Sequence, residues 1–164
     1  MTPEDLVDIE RIKQLKYKYM RCVDQKLWSE LPDCFTPDAR CAYSGGKYAY
    51  EGRDAICEWL SKSMGAETFH SSHRVHHPEI ELTSPTTAKG VWALEDTVIE
   101  TGFEITIQGA AFYEDHYEKI DGVWKITFTG YHRTFEQIQS RKDVPGLKLT
   151  ASAWSTGGQS KIDA

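Results

Sequence analysis

Four of the six histidines crowd into one stretch: His70, His73, His76 and His77. Imidazole, with an unperturbed pKa of about 6.5, is the natural general base at neutral pH and also a common metal ligand. The metal reading fails on spacing. His73 and His77 share one strand parity and His76 has the other, no nearby acid or cysteine completes a tetrahedral set, and HExxH is absent. GxSxG, GxGxxG and Walker motifs are missing too, so no metal, no nucleotide cofactor and no serine acyl transfer is expected.

Proton transfer depends on which face each histidine occupies. Side chains alternate along a strand. Ile80 and Leu82 share a parity with Pro78 and His76, whereas His73, His77, Glu79 and Glu81 take the other. Alternation thus places His76 on the buried face, as a structural side chain or a base, and turns His73 and His77 to solvent. Trp92, Leu94 and Val98 alternate on one face with Asp96 among them, while Glu95 points the other way. A carboxylate in that register is either hydrogen-bonded within the core or functional. Asp24, at the end of an amphipathic segment, is a turn or capping residue, or the acid that fixes the tautomer of a histidine arriving from the sheet. Tyr19, on the apolar stripe of that segment, offers its phenol to the same volume.

The elements that must position these groups are legible from periodicity. Leu6, Ile9, Ile12, Leu15, Tyr19 and Cys22 recur at helical spacing, with Arg11, Lys13, Lys16 and Lys18 among the remaining positions. Thr2-Pro3-Glu4-Asp5 is a helix start: a capping hydroxyl, a first-turn proline and acids favoured by the helix dipole. A short proline-interrupted helix over 28–35, a turn at Pro37-Asp38, a hairpin over 39–43 and 47–51, and a helix over 53–64 follow. The period then changes to two, predicting strands over 70–82, 87–100, 104–120 and 123–134, the last two joined by the tight-turn pair Asp121-Gly122. Helices first and an antiparallel meander after them predict an α+β fold, with helices covering one face of a curved sheet. Residues 1–141 read as a single domain and 142–164 as a tail over the surface or a neighbouring subunit.

The 164 residues suffice for one core, and 40% hydrophobic with 27% charged residues is the balance of a globular domain. The net charge of −6 argues against nucleic acid, and no apolar run is long enough for a membrane span. The N-terminus lacks signal-peptide order, and Cys22, Cys34, Cys41 and Cys57 have no metal-like spacing. Reduced buried thiols in a cytoplasmic protein are the expectation. Aromatic residues are plentiful at 12%.

This order of elements resembles the cone-shaped fold of the nuclear transport factor 2 (NTF2-like) superfamily, in its SnoaL-like and scytalone-dehydratase-like branches. The sequence is most similar to the bile acid 7α-dehydratases over most of residues 5–135. The likeness rests on Tyr19-Met20-Arg21-Cys22-Val23-Asp24, Tyr43-Ser44, His76-His77-Pro78-Glu79-Ile80, Leu94-Glu95-Asp96, the run from Gly109 to Gly122, and Thr129-Gly130-Tyr131-His132-Arg133. The Tyr-Glu-Lys-Ile-Asp-Gly hairpin reports only the fold. The set Tyr19, Asp24, His76, Asp96 and Arg133 is more specific, and the resemblance implies that these five form the catalytic site. Alternation alone groups Arg133 with Lys125, Thr127 and Thr129, opposite Trp124, Ile126 and Phe128; a bulge, for which Gly130 is the available position, would turn it inward. Gly45 stands where the bile acid enzymes carry an Asp, and the tail after Arg141 has no counterpart.

The resemblance implies a cofactor-independent dehydratase, a carbon–oxygen lyase acting on a hydroxylated 3-oxo-Δ4 steroid or bile-acid-like ketone. His76 would remove the acidified C6 proton, Asp24 orient its ring, Tyr19 donate a hydrogen bond, Asp96 serve as the protonated acid, and Arg133 hold Asp96 or the substrate. Tyr43, Trp92, Tyr113 and Tyr131 would line the pocket for a hydrophobic small molecule. The same dyad also suits a ketosteroid-type isomerase, a dehydrohalogenase or a polyketide cyclase. A non-catalytic module, like the small subunit of ring-hydroxylating dioxygenases, is the remaining alternative. A homo-oligomer is expected, a trimer before a dimer.

Overall fold

A computed structural model describes residues 1–162; the last two residues of the tail, 163–164, lie outside the described residues. Helix α1 (Pro3–Asp24) opens with a full capping box: Thr2 Oγ1 accepts from the Asp5 N–H at 3.2 Å, and the Asp5 carboxylate accepts from the Thr2 N–H at 2.7 Å. Its buried face is Ile12, Lys16, Tyr19, Met20, Cys22 and Val23, while Leu6, expected on that stripe, is exposed. The helix ends tightly: the Leu27 N–H reaches back to the Cys22 carbonyl at 2.8 Å and Lys26 takes φ +59°. Asp24 is thereby fixed at the helix end, facing the sheet. A single 3₁₀ turn (Leu31–Cys34) leads into the first strand.

Six strands form one sheet: β1 (Phe35–Tyr43), β2 (Tyr48–Glu51), β3 (Phe69–Leu82), β4 (Thr87–Glu100), β5 (Ile105–Ile120) and β6 (Val123–Ser140). Their order is β2-β1-β6-β5-β4-β3, antiparallel except for the β1–β6 pair. Helix α2 (Arg53–Met64) lies between β2 and β3, and a one-turn helix α3 (Ala153–Thr156) sits in the tail. Helices α1 and α2 cover the concave face, in keeping with the α+β cone. β1 starts earlier than expected and runs through Pro37-Asp38, where its register with β6 shifts between Phe35 and Arg40. Asp121 (φ +50°) and Gly122 (φ +81°) make the anticipated hairpin turn.

Two of the sheet's register shifts decide which of the histidines and of the β6 side chains up to Arg133 face inward. In β3, His76 pairs with Ala93 and Glu79 with Val91, so His77-Pro78 together oppose Trp92, and His77 takes φ +45°. In β6, Ile126 pairs with Tyr117 and Phe128 with His116, leaving Thr127 extra. Each bulge swaps the inward parity. Trp124 and Ile126 face in before the second bulge; Thr129, Tyr131 and Arg133 face in after it. Gly130 is not the bulge. It pairs in register with Glu114, and a Cβ there would lie 2.7 Å from the Ala42 carbonyl oxygen, so glycine permits the close β1–β6 approach.

Candidate active site

A cavity of about 300 Å³ opens between α1, α2 and the concave face of the sheet. Tyr19, Tyr43, Trp59, Tyr113 and Tyr131 give it aromatic walls, and His73, Asp96 and Arg133 also line it. Several aliphatic side chains, Leu60, Val98 and Ile107 among them, complete the lining.

His73, and not His76, enters this cavity. Its Nδ1 lies 2.7 Å from Asp24 Oδ1, its backbone N–H donates to Asp24 Oδ2 at 2.8 Å, and Ser71 Oγ donates to Asp24 Oδ1 at 2.8 Å. A carboxylate on Nδ1 selects the Nδ1–H tautomer and leaves the Nε2 lone pair free to take a proton. The dyad is mostly buried, with side chains 13% and 21% exposed for His73 and Asp24. His76 is on the convex face, 40% exposed, with Nε2 3.9 Å from Glu95 Oε2. The reason is the β3 bulge: parity counted back from Ile80 and Leu82 inverts at His77-Pro78. Pro78 is the signal that could have revealed it, because a proline inside a strand marks an edge or a bulge.

The second charged pair stands across β4, β5 and β6. Arg133 Nη1 donates to Asp96 Oδ1 in a short contact, and Nη2 donates to Oδ2 at 3.0 Å. Gly109 makes the crossing possible: a Cβ there would lie 2.7 Å from Arg133 Nη1. Burial disfavours the guanidinium charge, but the hydrogen bond and charge of Asp96 outweigh it and raise the Arg133 pKa. The bidentate grip engages both Asp96 oxygens as acceptors. Of the two roles expected of Arg133, the geometry shows the contact to Asp96.

The phenols form a third group. Tyr19 and Tyr43 hydroxyls are 2.8 Å apart and buried. Burial first, with neighbouring phenols, Cys41 beside Tyr43 and the Asp115 carboxylate adding to it, pushes Tyr19, Tyr43 and Tyr113 well above the ordinary tyrosine range, so all three stay neutral donors. Tyr131 stacks edge-on to Tyr113 at 5.2 Å. Trp92 is a further correction. It faces inward as its register requires, but it is fully buried in the closed end of the cone, its Nε1 donating to Tyr117 Oη at 2.9 Å, and it does not line the cavity. Trp59, stacked on Tyr43 and Tyr50, is the tryptophan that does. Helical spacing over 53–64 alone does not set Trp59 apart from the other apolar residues of α2.

Among the described residues, no group of three His, Cys, Asp or Glu side chains is placed to hold a metal ion. No described helix is long and apolar enough to cross a membrane. Burial raises the thiols of Cys34 to about 12 and of Cys41 and Cys57 to about 11, which leaves them poor nucleophiles. The Asp24–His73 pair beside neutral phenol donors is an arrangement suited to proton abstraction.

Comparison with known proteins places the fold. A solved protein from Novosphingobium aromaticivorans DSM 12444, provisionally named a scytalone dehydratase, is 25% identical and superposes with a TM-score of 0.77 over 84% of this chain and 91% of its own. The hexachlorocyclohexane dehydrochlorinase LinA-type3 from Novosphingobium barchaimii LL02 is 19% identical, with a TM-score of 0.75 over 90% and 97%, and shares the fold. The SnoaL-like domain family matches residues 4–129. The chain belongs to the SnoaL-like family of the NTF2-like superfamily, whose solved neighbours include dehydratase- and dehydrochlorinase-type lyases.

Proposed function

We propose that the protein is a cofactor-independent dehydratase acting on a hydroxylated, conjugated ketone of the 3-oxo-Δ4 steroid or bile-acid type. The observation that carries this reading is the Asp24–His73 dyad, whose free Nε2 faces an aromatic cavity. Conjugation from C6 to the carbonyl acidifies the C6 proton, so a single positioned base suffices. His73 takes that proton and Asp24 stabilises the resulting imidazolium. The electron pair moves into the dienolate, then expels the 7-hydroxyl, which leaves as water with the proton returned from His73. Within the Tyr19–Tyr43 pair, the hydroxyl whose proton is not spent on the other donates to the dienolate oxygen. Arg133, held by Asp96, fixes the opposite wall. A volume of about 300 Å³ is at the small end of ligand sites, so the reacting rings enter and the remainder of the substrate projects from the mouth.

The test is incubation with a 7α-hydroxy-3-oxo-4-ene steroid. Dehydration extends the conjugation and moves the ultraviolet band to longer wavelength. An unshifted band with an isomerised product would replace dehydration by isomerisation, and no reaction at all would remove this substrate class. The expected trimer has a surface available, since Phe112, Phe135 and Ile138 are exposed on the sheet; light scattering of the purified protein gives its mass.

A further inference from the structure

Behind the cavity lies a second acid–base pair that the dehydration scheme does not use. Lys16 Nζ is 2.7 Å from Asp115 Oδ2, and both side chains are 0% exposed. Burying such a pair costs more than packing two apolar side chains of similar volume, so its presence asks for a reason beyond stability. Its orientation supplies one. Tyr113 and Asp115 are two apart on β5 and project from the same face. The ammonium sits 3.5 Å from the centre of the Tyr113 ring and 5.0 Å from that of Tyr19, one helical turn further along α1. Asp115 holds the other end, accepting from Tyr117 Oη at 2.7 Å, and Thr129 Oγ1 is 3.5 Å from Nζ. The ammonium is thus against the Tyr113 ring, and the Asp115 carboxylate lies beyond it, near enough to add to the resistance of the cavity phenols to ionisation.

We infer that Lys16 is a positioning residue that makes the Tyr19–Tyr43–Tyr113 end of the cavity an anion-binding end, suited to an enolate or phenolate oxygen. A cation on the face of a phenol ring withdraws electron density from it and strengthens its O–H as a donor. The Tyr19–Tyr43 hydrogen bond uses one of two phenol protons and leaves the other for a ligand. The inference rests on the proposed elimination only for the identity of the anion, the dienolate; the binding property stands without turnover.

The probe is 4-nitrophenol, whose visible absorbance separates bound phenolate from bound phenol. Binding is measured in the His73→Gln background, so that no imidazolium contributes. Removing Lys16 alone would strand the Asp115 carboxylate, whose Oδ1 has no hydrogen-bond partner among the described residues. The informative variant is therefore Lys16→Met with Asp115→Leu, which keeps the net charge. It should bind the neutral phenol as the parent does and lose about tenfold in phenolate affinity. Should that pair fail to fold by circular dichroism, Tyr113→Phe serves instead, with the same loss of phenolate preference expected. Unchanged phenolate affinity in the folded double variant, or in Tyr113→Phe, overturns the inference. Phenolate binding without steroid turnover removes the dehydratase reading and leaves this one standing.

Discussion

Two acid–base pairs share a 2.7 Å separation and little else. Asp24–His73 sits at the rim of the cavity, partly open, with one imidazole nitrogen unoccupied. Lys16–Asp115 lies in the closed end of the cone, fully enclosed, with Lys16 set between the carboxylate and the Tyr113 ring. In the proposed reaction the first changes protonation, whereas the second keeps its charges fixed. The difference is one of surroundings: an open partner atom allows proton exchange, whereas burial without exchange leaves only a field.

Breaking the enclosed pair should have the largest effect on folding. Lys16→Ala leaves the Asp115 charge uncompensated and should cost about 3–5 kcal/mol in urea unfolding. A loss below about 1 kcal/mol would show that the pair is not charged or not sealed from water. Breaking the open pair should do the reverse: Asp24→Asn should cut turnover by about 10²-fold or more while moving stability by about 1 kcal/mol. If Asp24→Asn chiefly unfolds the chain, its role is structural.

Gly109→Ala probes the opposite wall. The new Cβ would meet Arg133 Nη1 at 2.7 Å and the Phe135 carbonyl at 2.9 Å, so about 1–3 kcal/mol of stability and the Asp96–Arg133 geometry should both be lost. Wild-type stability and activity would place Arg133 elsewhere. The smallest expected effect concerns His70. Burial, then Lys26, lowers its pKa, with Glu100 opposing and Arg141 adding to the shift. The unfolded chain therefore binds this proton more readily. Its contribution to stability is present in full above about pH 6.5 and is lost as pH falls below that value through the lower folded pKa. His70→Gln should flatten that part of the stability–pH curve, and an unchanged slope would remove His70 as its source.

The fold was legible wherever a single period ran unbroken. Helix α2 and strand β4 occupy the residues that periodicity assigns them, and Asp96 sits inward among Trp92, Leu94 and Val98. Legibility failed where one extra residue inverted a strand. His77-Pro78 hides His73 and exposes His76; Thr127 brings Arg133 inward although alternation places it outside. Trp92 shows a different limit: register names the face, not whether that face opens on a cavity. Lys16 shows a third. A lysine among other lysines on a helix reads as solvated, and only its partner on a distant strand makes it a core residue.

The central claim is that His73, held by Asp24, is the base, and comparing the two neighbouring histidines tests it most directly. Turnover of the 7α-hydroxy-3-oxo-4-ene steroid should fall by about 10²–10⁴-fold in His73→Ala and stay within about threefold of wild type in His76→Ala. A loss confined to His76→Ala, or full activity in His73→Ala, would contradict the account.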